Sequence, residues 1–164
     1  SAASDVYKRQ VCEVEKGVWV VPHFTGGLDE MGRRAHMYRK IGEEFIADDF
    51  AHEQSVVFET GKGLVIFNSC SHGGIVNIVR EVQMALGGQK VYAVVGGFHM
   101  MKLSGMDTLA IPEEEVVETA QELKGLGVEE IYTGHCTGNI AFGILKKELG
   151  EMVHALGTGE TVIF

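Results

Sequence analysis

Residues 63–74 read GLVIFNSCSHGG, and the interpretation of this stretch decides the fold. Leu64-Val65-Ile66-Phe67 is a short apolar run rich in β-branched and aromatic side chains, the composition of a buried strand. It stops at the small polar cluster that holds Cys70 and His72. Beyond Gly73-Gly74 the apolar residues Ile75, Ile78, Val79, Val82, Ala85 and Leu86 recur at helical spacing, which predicts one buried helix face ending at Gly87-Gly88. His72 is therefore expected between the carboxyl end of a strand and the amino end of a helix, where open α/β sheets place ligands.

The same arrangement recurs twice. Lys90–Gly97 reads as a second buried strand and delivers Phe98-His99 at its end. A loop with Met100, Met101 and Met106 follows, the methionines read as gap-filling or rim contacts, then a helix from Pro112 with Glu113, Glu114 and Glu115 in its first turn. Val128–Thr133 is the third strand, ends at Gly134-His135-Cys136-Thr137-Gly138, and precedes a helix over residues 139–149. Parallel strands joined by crossovers bring equivalent ends to one sheet edge, so His72, His99 and His135 should converge. Neutral imidazoles on rigid strand ends suit a catalytic divalent metal with room for water.

Two thiols complicate this set. Cys70, His72, His135 and Cys136 could compose a Cys2His2 zinc site, but neighbours in extended chain point apart, which argues against His135 and Cys136 sharing an ion. A cysteine nucleophile would need an exposed, polarised thiolate, whereas a thiol among glycine and serine at a strand end reads as small buried filler.

Upstream, Val11–Val21 is read as one strand ended by Pro22, and residues 23–50 as a long irregular loop over a site, with His23 and His36 as possible lining residues. Ser55–Glu59 and Leu64–Asn68 flank Thr60-Gly61-Lys62-Gly63 as a hairpin. Asp48, Asp49 and Glu53 precede it, read either as strand-edge charge or as support for the site. Residues 152–156 and 161–164 are read as a closing hairpin around Gly157-Thr158-Gly159.

The bulk properties set the outer limits. A chain of 164 residues suits one domain, and its 45% hydrophobic and 23% charged composition excludes disordered and collagen-like classes. A net charge of -9 disfavours nucleic acid and anionic membrane as partners, since Arg33-Arg34 with Arg39-Lys40 is the nearest approach to a basic patch. No apolar run reaches membrane-spanning length. Three cysteines without a pairing pattern suit a reducing, cytoplasmic setting. Residues 1–10, SAASDVYKRQ, have no apolar period and read as a non-native leader, with a partial domain over 11–164.

Three motifs, SCSHGGIVNIV over 69–79, VVGGFHM over 94–100 and GHCTG over 134–138, resemble in order the carboxyl-terminal half of the metallo-β-lactamase superfamily. They look most like its 7,8-dihydropterin-6-ylmethyl-4-(β-D-ribofuranosyl)aminobenzene-5'-phosphate synthase branch, over roughly Asp48 to Phe164. The resemblance implies an α/β fold, the carboxyl-terminal half of an αβ/βα sandwich. It implies His72 and His135 as ligands of a divalent metal, zinc in the first place, with one or two ions in a complete protein. It assigns His99 a catalytic place, binding metal, substrate or a proton, with Cys70, Ser71, Cys136, Thr137, Asp49 and Glu53 as supporting or pocket residues.

Two departures stand out. His-x-His-x-Asp-His, the superfamily's first metal motif, is absent, so the expectation is a chain cut before it, inactive alone and prone to self-association. His99 lies where many members have a bridging aspartate; carboxylates bridge two cations readily, whereas neutral imidazole has one lone pair. The implied activity is hydrolysis of a phosphorylated small molecule, or transfer that condenses a dihydropterin with an aryl ribofuranosyl phosphate. The alternative is an inactive half-domain or small-molecule binding module.

Overall fold

The computed structural model describes residues 10–102 and 108–164, so the leader proposed for residues 1–10 (apart from Gln10) and Met106 lie outside the described residues. β1 (Cys12–Glu15) and β2 (Val18–Pro22) form a hairpin through Lys16-Gly17. One strand was expected here, but Gly17 takes a positive φ of 73° and reverses the chain. Residues 23–50 also carry regular structure: α1 (Leu28–Ala35), then a separate hairpin of β3 (Tyr38–Ile41) and β4 (Glu44–Ala47). β5 (Gln54–Thr60) and β6 (Gly63–Phe67) are the expected hairpin.

From β6 onward the chain alternates: α2 (Ile75–Ala85), β7 (Val91–Gly96), α3 (Glu113–Gly125), β8 (Glu130–Thr133), α4 (Asn139–Leu149) and β9 (Val153–Ala155). The main sheet has the order β1-β2-β5-β6-β7-β8-β9, antiparallel as far as β6 and parallel from β6 to β9. The parallel pairing carries the ends of β6, β7 and β8 to the same edge, as the repeated strand–histidine pattern requires.

The strand sequences follow their exposure. In β5, Ser55 and Val57 are buried while Gln54, Val56 and Phe58 are exposed, the alternation of a half-covered antiparallel strand. In β6, Leu64, Val65 and Ile66 are all buried, because both faces of that strand are covered. Leu64, Ile66, Val94 and Ile131 pack with Ile78, Val82, Val116, Leu123 and Leu145 of the three helices in the main core. Val65, Ala93 and Val95 occupy the other face beneath Phe67, Tyr92, Tyr132, Leu156 and Phe164.

That second cluster explains a further departure. Residues 161–164 form no strand, and no hairpin closes the chain; β9 pairs parallel to β8 instead. The Phe164 ring meets Phe67, Tyr92 and Tyr132 edge-on at 6.1, 6.5 and 5.5 Å, so aromatic packing over the sheet replaces ladder pairing. The arginines and lysine that came nearest to a basic patch are each paired: Arg33 with Asp29 and Glu30, Arg34 with Glu115, Arg39 with Asp49, and Lys40 with Glu43. No helix among the described residues is long and apolar enough to cross a membrane.

Candidate metal centre

Three strand ends meet because backbone and threonine hydroxyls tie them together. The Gly97 N–H donates to Ser69 O at 2.8 Å, joining the end of β7 to that of β6. Thr133 Oγ1 donates to Gly96 O at 2.8 Å, so it must accept from Thr137 Oγ1 at 2.6 Å, and Thr137 Oγ1 in turn accepts the Phe98 N–H at 3.0 Å. Thr137 is thus a buried latch between two histidine loops. Gly96 and Gly97 are required by the close approach: a Cβ would lie 2.2 Å from Asn68 O at Gly96 and 2.6 Å from Cys136 Sγ at Gly97.

His99 and His135 hold left-handed backbone, with φ of 49° and 50°, as does Ser71 beside His72, with φ of 55°. Such conformations are uncommon for non-glycine residues and cluster at functional sites. The His72 and His99 rings meet edge to face with centroids 4.3 Å apart. Phe50 stacks on His72 at 5.3 Å and 18°.

Behind His72 runs a buried chain of alternating acid and imidazole. His72 Nδ1 donates to Glu53 Oε1, His23 Nε2 lies 3.3 Å from Glu53 Oε2, and His23 Nδ1 lies 2.6 Å from Glu81 Oε2. Glu81 Oε1 also accepts the Phe24 and Thr25 N–H groups at 3.0 and 2.7 Å and the Thr25 hydroxyl at 2.6 Å. The side chains of His23 and Glu81 are only 2% and 4% exposed, so neither charge is screened by water. Burial alone would lower the His23 pKa, but the two flanking carboxylates more than offset it and raise it to about 9. Burial alone would raise Glu53, but His23 and His72 hold it down at about 2. Glu81 is lowered too, its burial outweighed by His23, Thr25 and Phe24. Ionised Glu53 therefore fixes the Nδ1–H tautomer of His72 and leaves the Nε2 lone pair available.

Glu53, one of the two readings at sequence level, is thus in contact with His72. Asp49 is not: it accepts from Arg39 at 2.7 Å and from the Ala51 N–H at 3.2 Å, which ties the β3–β4 hairpin to the loop before β5. Glu81 escapes a helical period read over the apolar residues of α2 alone. It flanks Ile78 and Val82 on the buried face, and a carboxylate there signals a buried partner.

On the other side of His99, the potential ligand atoms of Cys70, His135 and Cys136 all lie within 4.8 Å of one another. His135 and Cys136, expected to point apart as chain neighbours, instead bring their ligand atoms together. Residues His135–Thr137 form a 3-10 turn, not extended chain, so neighbouring side chains need not oppose. His135 is exposed, Cys70 half-buried and Cys136 buried. Burial pushes the Cys136 thiol up to about 12, even though it accepts the His99 N–H at 3.3 Å, which disqualifies it as a nucleophile. His99 is lowered, by burial first and then by His72, and its Nδ1 is buried without a hydrogen-bond partner in the described structure. Ser71 Oγ is likewise buried and unpartnered.

Ser71, His72 and His99 open onto a cavity of about 580 Å3 between α1, α2, α3 and the loop after β7, whose lining does not include Cys70, His135 or Cys136. Ser71, His72 and His99 form one part of its lining, Met31, Met100 and Met101 an apolar part, and Arg34, Arg80 and Lys102 with Glu115, Glu118 and Glu122 a part of mixed charge. His36 also lines it, as the sequence allowed. The donor set fits a divalent cation: His72 has a free ring nitrogen held in place by Glu53, and two thiols and an imidazole cluster beside it.

No protein-family model matches the chain. A solved structure described as a metal-dependent hydrolase of the β-lactamase superfamily superposes with a TM-score of 0.73 at 26% identity, over 94% of this chain and 56% of that one. The mixed sheet, its helical layer and the histidine-bearing edge belong to the metallo-β-lactamase superfamily, and the chain is a member of it. Within the superfamily it is similar to the 7,8-dihydropterin-6-methyl-4-(beta-D-ribofuranosyl)-aminobenzene-5'-phosphate synthase of Methanocaldococcus jannaschii, with 36% identity over 128 residues. That match takes in 78% of this chain and 41% of the synthase, so the chain spans about half the length of the relatives it matches, or less.

Proposed function

We propose that the protein is a metal-dependent enzyme acting on a phosphorylated small molecule, and specifically a transferase joining a dihydropterin methyl group to an aryl ribofuranosyl phosphate. The observation that carries this reading is the cavity of about 580 Å3, which has His72 and His99 in one part of its wall and Arg34 and Arg80 in another. Its volume suits a metabolite-sized ligand. Arg34 and Arg80 are held by Glu115 at 2.9 Å and Glu122 at 2.6 Å, and a phosphate entering the cavity would exchange for these carboxylates.

His72 and His135 would be ligands of the divalent metal centre, zinc in the first place, with one or two ions at full length. When bound, it supplies Lewis-acid stabilisation of charge on the leaving phosphate. Glu53 orients His72, and Phe50 shields one face of its ring from water. In the condensation a C–N bond forms at the aryl amine as the C–O bond to pyrophosphate breaks, and the amine loses a proton. His99, which borders the cavity, takes that proton on its ring. The protein, expressed at the full length its gene encodes, should release pyrophosphate from the two substrates. His72→Ala and His135→Ala should each abolish the release, and unchanged rates in both would overturn the assignment.

A second reading, a small-molecule binding module without turnover, draws on the exposure of Val56 and Phe58 on the sheet. It expects the 164-residue chain to self-associate while releasing no pyrophosphate. A monodisperse, cooperatively melting monomer in sedimentation and calorimetry would count against it. The expected cytoplasmic setting belongs with either reading and is testable by fractionation.

A further inference from the structure

We propose that Cys70, His135 and Cys136 form a thiolate–imidazole cation site of their own, selective for a zinc-class ion and separate from the His72–His99 pair. This deepens the reading above, on which it rests only for the presence of a metal at this sheet edge, by giving His135 its co-ligands. The three ligand atoms lie within 4.8 Å of one another. Bonds of about 2.3 Å to sulfur and 2.0–2.1 Å to nitrogen would set tetrahedral ligand separations of roughly 3.4–3.8 Å, within reach of side-chain rotation. Two sulfurs and one imidazole make a donor set that favours zinc and softer ions over magnesium or calcium.

The surroundings of the thiols are those of ligands more than of filler. Cys136 Sγ accepts the His99 N–H at 3.3 Å and points to Cys70 O at 3.6 Å. A backbone donor to sulfur is a recurrent support for metal thiolates, and an apolar filler has no use for one. Gly97 leaves the space the sulfur occupies, since a Cβ there would come within 2.6 Å of it. His135 is kept exposed at a positive φ of 50° within a turn whose neighbouring hydroxyl, Thr137, is latched to β8 and to the loop after β7. With three protein ligands and one exposed imidazole, a fourth position is left to solvent or substrate. On binding M2+, two S–H bonds are replaced by two M–S bonds, and the two protons go to solvent.

The test uses metal alone. The whole chain, stripped with chelator, is titrated with Co2+ and Cd2+ and read by thiolate-to-metal charge-transfer absorption. One equivalent should produce the band. Cys70→Ser should remove most of its intensity and weaken Co2+ binding at least tenfold, while Cys12→Ser and His72→Ala should leave it in place. Absence of the band in the unmodified chain would overturn the site, as would a band unchanged in Cys70→Ser. Cys136 is buried, so should Cys136→Ser fail to fold, the unmodified chain and the half-buried Cys70→Ser still decide. A band that survives while no pyrophosphate is released at full length would sink the transferase reading and keep the site; release without a band would do the reverse.

Discussion

His99 divides the histidine edge into two regions built on opposite plans. On one side the chain Glu81–His23–Glu53–His72 is enclosed, and each imidazole there has a carboxylate against Nδ1. On the other, Cys70, His135 and Cys136 are gathered but hardly bonded, with His135 open to solvent and Cys136 held by weak sulfur contacts. The first region carries its own compensating charges and so contributes to the fold before any ligand arrives. The second gains its interactions only when a cation supplies them. The difference is between orientation built in by folding and affinity left for a ligand, and it can be tested by asking which side unfolds the protein when altered.

The largest effect is expected at Glu81→Gln. Removing that charge leaves His23 buried with only Glu53 to face, and breaking one partner of a buried pair costs on the order of 3–5 kcal/mol. Urea denaturation should show this as a lower midpoint with an unchanged slope. A loss below about 1 kcal/mol, the level typical of exposed ion pairs, would mean that the chain of acids and imidazoles is not carrying charge into the core.

The next effect is a pH window in the same region. His23 has its folded pKa raised from 6.5 to about 9, so its contribution is complete below 6.5 and is lost as pH rises through about 9. Glu53 is lowered from 4.5 to about 2, so its contribution is complete above 4.5 and is lost as pH falls through about 2. The melting temperature should therefore be highest between about 4.5 and 6.5 and decline towards 9. His23→Gln, which removes the titrating ring, should flatten the alkaline limb. An equal decline in that variant would place the alkaline sensitivity elsewhere.

Much of this arrangement was legible in the sequence, and the boundary of legibility is physical. The apolar run Leu64–Phe67 is short but unbroken, the helical period of residues 75–86 is sustained to its end, and α2, β7 and α4 match the sequence reading. The parallel rule then carried three histidine loops to one edge. In contrast α1 is eight residues long with only Leu28 and Gly32 buried, and the β3–β4 hairpin is largely exposed, so neither leaves a sustained period. Phe164 reads as a strand residue by composition and settles on an aromatic face instead, a choice made by tertiary packing. Glu81 was hidden for a different reason. Its partner His23 is 58 residues away, and a single sequence carries no record of that pairing.

The smallest effect is the one that isolates the open region. Cys70→Ser exchanges one small polar group for another at a half-buried position outside the main core, so its cost to the metal-free chain should stay within about 0.5–1 kcal/mol. If the thiols are ligands, zinc added in excess should raise the melting temperature of the unmodified chain, because an ion that binds the folded state at a hundred times its Kd adds about 2.7 kcal/mol. The same zinc should do less for Cys70→Ser, while Glu81→Gln, though weakened from the start, should gain as much as the unmodified chain. Equal zinc gains in all three would remove the distinction between the regions, since the thiol side would then contribute nothing that the imidazole side does not already supply.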